Sequence, residues 1–292
     1  MGTFFEYLMN GLMIGSMYAL IALGYTMVYG IAKMINFAHG DIIMVGAYWI
    51  YIGIQVLKLP VWLTVIIAIV FCSLLGVIVE KVAYKPLRNA PTLAVLITAI
   101  GVSYLLQNVF QMIFSPTQKE VPSILPKGAI KIGSVHISYI TIITLAITIV
   151  VMIGLTLFIN KTKLGSAMRA VSEDKGAASL MGINSNMIIT ITFAIGSALA
   201  ALAGIIYVCK YEQITPMMGA LPGIKAFVAA VIGGIGSVPG AMIGGIVLGL
   251  IETMSKAYIS STLVDAITFG ILIFVLLFKP AGILGINRTE KV

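Results

Sequence analysis

Charge is scarce in this chain of 292 residues: 10% are Asp, Glu, Lys or Arg, whereas 60% are hydrophobic. A soluble domain carries about 25% charged residues, and a mean hydropathy of +1.10 exceeds what a buried core absorbs. Lipid must be the solvent, and the sequence reads as an all-α polytopic membrane protein. Cysteine is scarcer still. Cys72 lies inside an apolar run and Cys209 near the end of another, with no CxxC spacing, so neither a disulfide framework nor a metal centre is expected. The only histidines, His39 and His136, stand far apart, and HExxH and GxSxG are missing, which leaves hydrolytic catalysis without support. GxxxxGK[ST] is missing too, so the chain cannot bind ATP through a P-loop. The opening "MGTFFEYLMNG" has acidic Glu6 where a secretory signal would be basic and a myristoylation site would have Ser or Thr, so neither is expected.

What charge there is sums to +8, from 18 Lys and Arg against 10 Asp and Glu. These bases sit at the edges of apolar runs rather than in a stripe interleaved with aromatics. That distribution suits topology signals and anionic lipid headgroups, not nucleic acid. A span needs about 20 apolar residues, fewer where the segment is broken inside a bundle. Candidates are Leu8–Tyr29, Ile42–Val56, Val61–Val79, Thr92–Phe114, Ile137–Ile159, Met187–Val208, Ile224–Ile235, Ala241–Ile251 and Val264–Phe278. Eight or nine transmembrane or half-membrane helices result, depending on how 224–251 is divided. Gly233, Gly234, Gly236, Pro239 and Gly240 interrupt that stretch and release backbone groups that lipid cannot satisfy. We read two short elements meeting at a break that is packed in protein, with a hinge as its sharper function.

Nine segments place the basic stretches Glu80–Pro91, Asn160–Asn186 and Lys279–Val292 on one side, the cytoplasmic one. With Lys33 that side holds eleven Lys and Arg against seven outside. The halves also echo each other: "IGSMYALIAL" (Ile14–Leu23) and "IGSALAALAG" (Ile195–Gly204) share five of ten positions at an offset of 181. Residues 7–114 and 188–279 are the expected repeat halves of a single transmembrane domain over 1–292, inverted in the membrane as in transporters. The same offset sets Asn36–Asp41 against Met217–Pro222, each before a short apolar element.

Polar groups between two apolar runs need a reason, and "INFAHGD" supplies Asn36, His39 and Asp41. As caps, Asp41 would accept from the free N–H groups of the next helix, Gly40 would permit a turn, Asn36 would close the preceding helix, and His39 would lie at the interface. As functional groups they would line a pathway, the default for ionisable residues at membrane depth. Asp41, Glu252 and Asp265 are the deepest acids, and no two share a segment. The longest hydrophilic stretch on the basic side, Asn160–Asn186, spaces Ala167, Met168, Val171, Ala178 and Met181 to give short helices an apolar face, with Gly182 placed to end the second. Such a helix wants either a partner surface or lipid headgroups.

The stretches "INFAHGDIIMVGAY", "GSAMRAVSEDKGAASLMGIN", "AFVAAVIGGIGSVPGAMIGG" and "FKPAGILG" resemble permease subunits of bacterial ABC importers for branched-chain amino acids, in particular the smaller, H-type subunit. The resemblance covers essentially the whole chain. It implies a coupling helix of pattern Glu-Ala-Ala-x-x-x-Gly that docks on an ATPase. "GAASLMG" supplies Ala177, Ala178 and Gly182, with Gly176 in place of the Glu and Glu173 and Asp174 just upstream. Gly165 and Arg169 complete the coupling-loop residues, Arg169 as a partner for acids on the ATPase. The resemblance further implies no cofactor on this chain, ATP and Mg on two ATP-binding subunits, and a second permease subunit, a paralogue. An external amino-acid-binding protein and the bacterial cytoplasmic (inner) membrane complete that expectation. Urea and short-chain amide importers share much of the pattern. The rivals are an ion-coupled secondary transporter, which lacks an ion site here, and an intramembrane enzyme using His39 and Asp41.

Overall fold

The computed structural model describes residues 2–88, 90–126, 128–132 and 135–285. Lys127, Arg288 and Lys291, counted above among the topology charges, lie outside the described residues. Helix α1 (Gly2–Ala32) is followed by α2 (His39–Tyr51), which a π-helical turn, Ile52–Val56, prolongs. Helix α3 (Val61–Val79) runs on through a second π-helical turn, Glu80–Tyr84, before α4 (Thr92–Phe114). Strands β1 (Lys119–Glu120), β2 (Ala129–Ile132) and β3 (Val135–Ser138) precede α5 (Tyr139–Lys161). Two short helices come next, α6 (Lys163–Glu173) and α7 (Lys175–Leu180), then α8 (Ser185–Tyr211) and β4 (Gln213–Ile214). Helices α9 (Ala220–Gly233), α10 (Val238–Tyr258) and α11 (Val264–Phe278) close the described chain.

All nine apolar segments are helices, and six of them are long and apolar enough to cross a membrane. One expectation is corrected. The break at residues 234–237 joins a short helix to a full-length one rather than two short elements, because α10 continues past Ile251 to Tyr258. Glu252 ended the apolar run in the sequence, but in the fold that carboxylate is neutralised by two lysines and the helix carries it without interruption.

Helices α1, α8 and α10 form the interior, whereas α3, α4 and α5 turn apolar side chains outward. The most apolar window of α1 is 89% buried, and those of α4 and α5 only 17%, so the latter lie at the periphery of the bundle. Neighbour pairs come in matched couples: α1 on α10 and α8 on α3, α2 on α8 and α9 on α1, α2 on α3 and α9 on α10, α2 on α4 and α9 on α11. Close approach rests on small residues, as lipid-embedded packing demands. Gly15 faces the backbone of Ile246, Gly245 faces Ala19, and Gly204 faces the Ile43 carbonyl, so that a Cβ at any of them would collide with main chain. Beyond the spans, β1 pairs with β4 and β2 with β3, both antiparallel. Strands of two to four residues carry no readable alternation, and the sequence did not announce them.

Candidate functional site

Helix α1 ends at Ala32, and Lys33, with φ at 59°, turns the chain back. The chain then re-enters the bundle, because α2 opens at a depth two turns inside α1. The imidazole of His39 lies directly on Gly24, where a Cβ would collide with the ring, and its centroid is 4.7 Å from that of Tyr25. Gly24 precedes the end of α1 by eight residues, about 12 Å of helix. Helix α9 opens against the same point. A Cβ on Gly40 would stand 2.6 Å from the Gly219 carbonyl and 3.2 Å from Gly223 Cα, while one on Gly219 would overlap the Gly40 carbonyl. Two short helices thus meet N-terminus to N-terminus, at an approach only glycine allows.

Each helix N-terminus carries roughly half a positive charge, so this meeting is electrostatically unfavourable unless something negative stands by. Asp41, in the first turn of α2 and buried, supplies it. Its Oδ1 accepts from Gln107 Nε2 of α4 at 2.8 Å, and that same Nε2 reaches Ser103 Oγ at 3.3 Å. The capping expectation is therefore corrected in four respects. Ala38 is the N-cap and no side chain caps α2, because Asp41 sits inside the first turn and faces α4. Asn36 does not close α1 through its side-chain oxygen; Oδ1 accepts from Tyr84 OH at 2.8 Å. Gly40 is helical, required by close approach and not by a turn. His39 is 1% exposed and so lies deep in protein instead of at the interface.

A second polar centre escaped the sequence reading. Lys225 Nζ of α9 lies 2.8 Å from Asp265 Oδ1 of α11 and 3.2 Å from Glu252 Oε1 of α10. Glu252 also accepts from Tyr18 OH of α1 and from Lys256, both at 2.6 Å. The acids share no helix, but one buried lysine joins them. Starting α9 at Ile224 made Lys225 look like an edge charge; one lysine facing two acids held in apolar segments was the available signal. Breaking a buried ion pair by deleting one partner costs about 3–5 kcal/mol. Glu252→Ala should lower the unfolding midpoint of the detergent-solubilised protein sharply in a size-exclusion thermal series, and an unchanged midpoint would deny the cluster that structural weight.

At the basic end, Thr162 N-caps α6 by accepting from Gly165 N at 3.0 Å, and Gly165 lies against the Phe158 and Ile159 carbonyls where no Cβ fits. Arg169 is exposed at the surface of α6. Its guanidinium donates to Ile159 O at 2.9 Å, Asn160 Oδ1 at 3.0 Å and Ser166 Oγ at 3.2 Å, which clamps α6 to the end of α5. Glu173 ends α6, exposed. Asp174 N-caps α7, accepting from Gly176 N at 2.7 Å and Ala177 N at 3.0 Å, so this carboxylate holds the helix N-terminus that Gly176 leaves without an acid. Gly182, φ at 81°, ends α7 with Gly182 N donating to Ser179 O and Ile183 N to Ala178 O.

Met168, Val171 and Ala178 face the bundle as their spacing implied, but Met181 does not. It stands at the C-cap, outside the helical repeat, and is 82% exposed beside Leu180 at 90%. Lys175 Nζ donates to Ala32 O at 3.1 Å, tying α7 to an open carbonyl of α1. Burial, then the nearby Arg88 and Lys33, lowers the pKa of Lys175 below the usual lysine value. Glu80, at the start of the basic stretch Glu80–Pro91, is wholly buried; it pairs with Arg88 and accepts from Thr190 Oγ1 at 2.8 Å.

The glycine-rich break is closed by the chain itself. Gly234 and Gly236 have φ of 105° and 97°, Ser237 N-caps α10, Pro239 occupies its first turn, and the backbones of Gly233 and Gly240 touch. Past α11 the chain returns, and Ile283 N and Leu284 N donate to Ile232 O and Gly233 O at 2.8 and 3.0 Å. The freed carbonyls are thus satisfied without lipid. A cavity of about 550 Å³ lies beside the break, between α1, α5 and α6. Among the described residues no group of three His, Cys, Asp or Glu could hold a metal.

A family model described as the permease component of the branched-chain amino acid transport system matches residues 7–276. The chain is 47% identical to the high-affinity branched-chain amino acid transport system permease protein BraD of Pseudomonas aeruginosa, across 99% of this chain and 98% of that protein. It is 44% identical to the corresponding permease protein LivH of Escherichia coli K12 across the same shares. A more distant relative, at 28% identity over 81% of this chain and 73% of its own, is the ribose import permease protein RbsC of Haemophilus influenzae.

Proposed function

The chain belongs to the family of branched-chain amino acid transport permease components, and from that membership we propose that it is the membrane-spanning subunit of an ATP-driven importer through which branched-chain amino acids cross the bacterial inner membrane. It is a transport subunit and not an enzyme. The observation that carries the reading is α7: a short helix fixed at both ends, with Leu180 and Met181 bare to solvent at the basic end of a chain that has no ATP-binding motif. Two ATP-binding subunits holding ATP and Mg are the partners this surface suits, with a second permease subunit beside this one, an amino-acid-binding protein outside, and lipid around the spans.

The basic end is cytoplasmic in this reading. ATP binding draws the docked subunits together and moves α7. The clamp of Arg169 on α5 and the bond from Lys175 to Ala32 carry that movement into α5 and α1. Helix α1 bears the Gly24–His39 contact, so its displacement reaches the junction of α2 and α9. The halves 7–114 and 188–279 act as inverted copies, a reading supported by the matched helix couples and by the meeting of the two half-helices. An apolar cargo needs no dense polar site, and selectivity rests chiefly with the external binding protein.

In cells deprived of their own branched-chain importers, the assembled system should restore uptake of labelled leucine, isoleucine and valine, and unlabelled urea should not compete. Competition by urea would overturn the cargo. Uptake that survives ATP depletion and follows an ion gradient would overturn the energy source.

A further inference from the structure

The π-helical end of α3 has no part in the scheme above. We propose that Tyr84 is a positioning residue of transport: through its bond to Asn36 it carries movement of the docking helix α7 to the opening of α2. This rests on the importer reading, which makes α7 the point where ATP does its work.

The buried side of α3 is a column of every fourth residue: Thr64, Ala68, Cys72 and Gly76, then Glu80 and Tyr84 past the α-helical part. Steps of four drift about 40° around an α-helix. A π turn holds more residues per turn and takes some of that drift back, so Glu80 and Tyr84 stay on the inner face, both at 0% exposure. Pro86 then ends the helix, since it brings no N–H to continue the ladder.

A carboxylate this deep stays only where it is paired, and Glu80 is held by Arg88 and by Thr190 of α8. Arg88 also donates to Asn186, one turn before Thr190. The start of α8 is in turn tied to α7, because Ser185 Oγ donates to Lys175 O at 3.3 Å and lies 3.1 Å from Ser179 Oγ. Farther along α3, Gly76 lies so close to Ser197 and the Phe193 carbonyl of α8 that no Cβ fits. Helices α3 and α8 are therefore locked to each other and, through Ser185, to α7.

At the far end Tyr84 OH donates to Asn36 Oδ1 at 2.8 Å. Asn36 Nδ2 has no partner among the described residues, so the amide is held from its oxygen. Three residues on, α2 begins at His39, which rests on Gly24 of α1. The opening of α2 is thus gripped from two sides, by α1 through His39 and by α3 through Asn36. Tyr84 supplies the second grip.

The test uses the whole transporter in vesicles, with ATP inside and the leucine-loaded binding protein outside, and reads labelled leucine taken up per phosphate released. Tyr84→Phe keeps the ring against Phe193, at 5.3 Å between centroids, and removes only the hydroxyl. One hydrogen bond between protein groups shifts an equilibrium roughly two- to tenfold, so the ratio should fall about fivefold while hydrolysis continues. Asn36→Ala should lower it equally, and the double variant no further than either, the mark of two residues acting through one bond. Asn186→Ala with Thr190→Val cuts the route at the start of α8, leaves the buried ring alone, and should lower the ratio likewise. An unchanged ratio in Tyr84→Phe or in the α8 pair, even beside a lowered unfolding midpoint, would overturn the proposal, as would losses that multiply in the double variant. Normal ATP-driven uptake by the unmodified transporter in the same series leaves the importer reading standing. Unmodified vesicles that take up no leucine overturn both.

Discussion

Replacing Leu180 or Met181 with Asp is expected to cut leucine uptake about thirtyfold or more while leaving the amount of folded protein in the membrane unchanged. Both side chains are almost fully exposed, at 90% and 82%, so their loss removes no packing from this chain, and surface changes of that kind usually alter stability by less than about 0.5 kcal/mol. Their position is the unusual feature. Two large apolar residues at the tip of a helix held rigid by Asp174 and Gly182 expose what a soluble surface avoids and what an interface core uses. An Asp there must be desolvated in the partner's groove, and loss of a hot spot of 2 kcal/mol or more lowers affinity by roughly thirtyfold upward. Uptake of labelled leucine, immunoblotting of membranes and recovery of the ATP-binding subunits would be read together. Met112, 86% exposed on peripheral α4, is the control, and its replacement by Leu should change none of the three. Full uptake by the Asp variants would remove α7 from the mechanism.

Gly219→Val is expected to remove the folded protein almost entirely. A Cβ at this position overlaps the Gly40 carbonyl, and the obstacle is main chain on both sides, so no flexible side chain can yield. Overpacking a well-filled core costs about 1–3 kcal/mol and more where backbone must move; here two helix N-termini would be driven apart along with the Asp41–Gln107 bond beside them. Fluorescence-detected size-exclusion chromatography should show loss of the monodisperse peak. Gly101→Val, with nothing within 4 Å of its Cβ, should keep it. A normal peak for Gly219→Val would mean that the two half-helices do not touch. Gly236 offers a third case: its φ of 97° strains any other residue although the space is open, so Gly236→Ala should cost about 1 kcal/mol and leave uptake measurable.

The contrast between those glycines shows what the sequence could and could not disclose. Apolar runs bounded by Gly, Pro and Lys located every apolar helix, because lipid allows few alternatives to a satisfied backbone. The short helices of the basic loop were legible from Met168, Val171 and Ala178, and so was Gly182 as their end. Depth was not legible. Asn36, His39 and Asp41 looked like turn chemistry because a local reading pairs them with neighbours in sequence; their partners are Tyr84, Gly24 and Gln107, on other helices. The same blindness hid Lys225, whose partners lie on α10 and α11, and the bond that ties Arg169 to the end of α5. Gly40 illustrates the rule in one residue: the sequence offers a turn, and the fold uses its missing side chain.

One measurement bears most directly on the claim that α7 joins this chain to its energy source. A photo-crosslinking amino acid placed at position 180 or 181, in cells that express the whole system, should capture a P-loop ATPase chain, and the same probe at position 112 should capture none. Crosslinking that finds no ATPase at 180 or 181, in membranes that still take up leucine, would contradict the account.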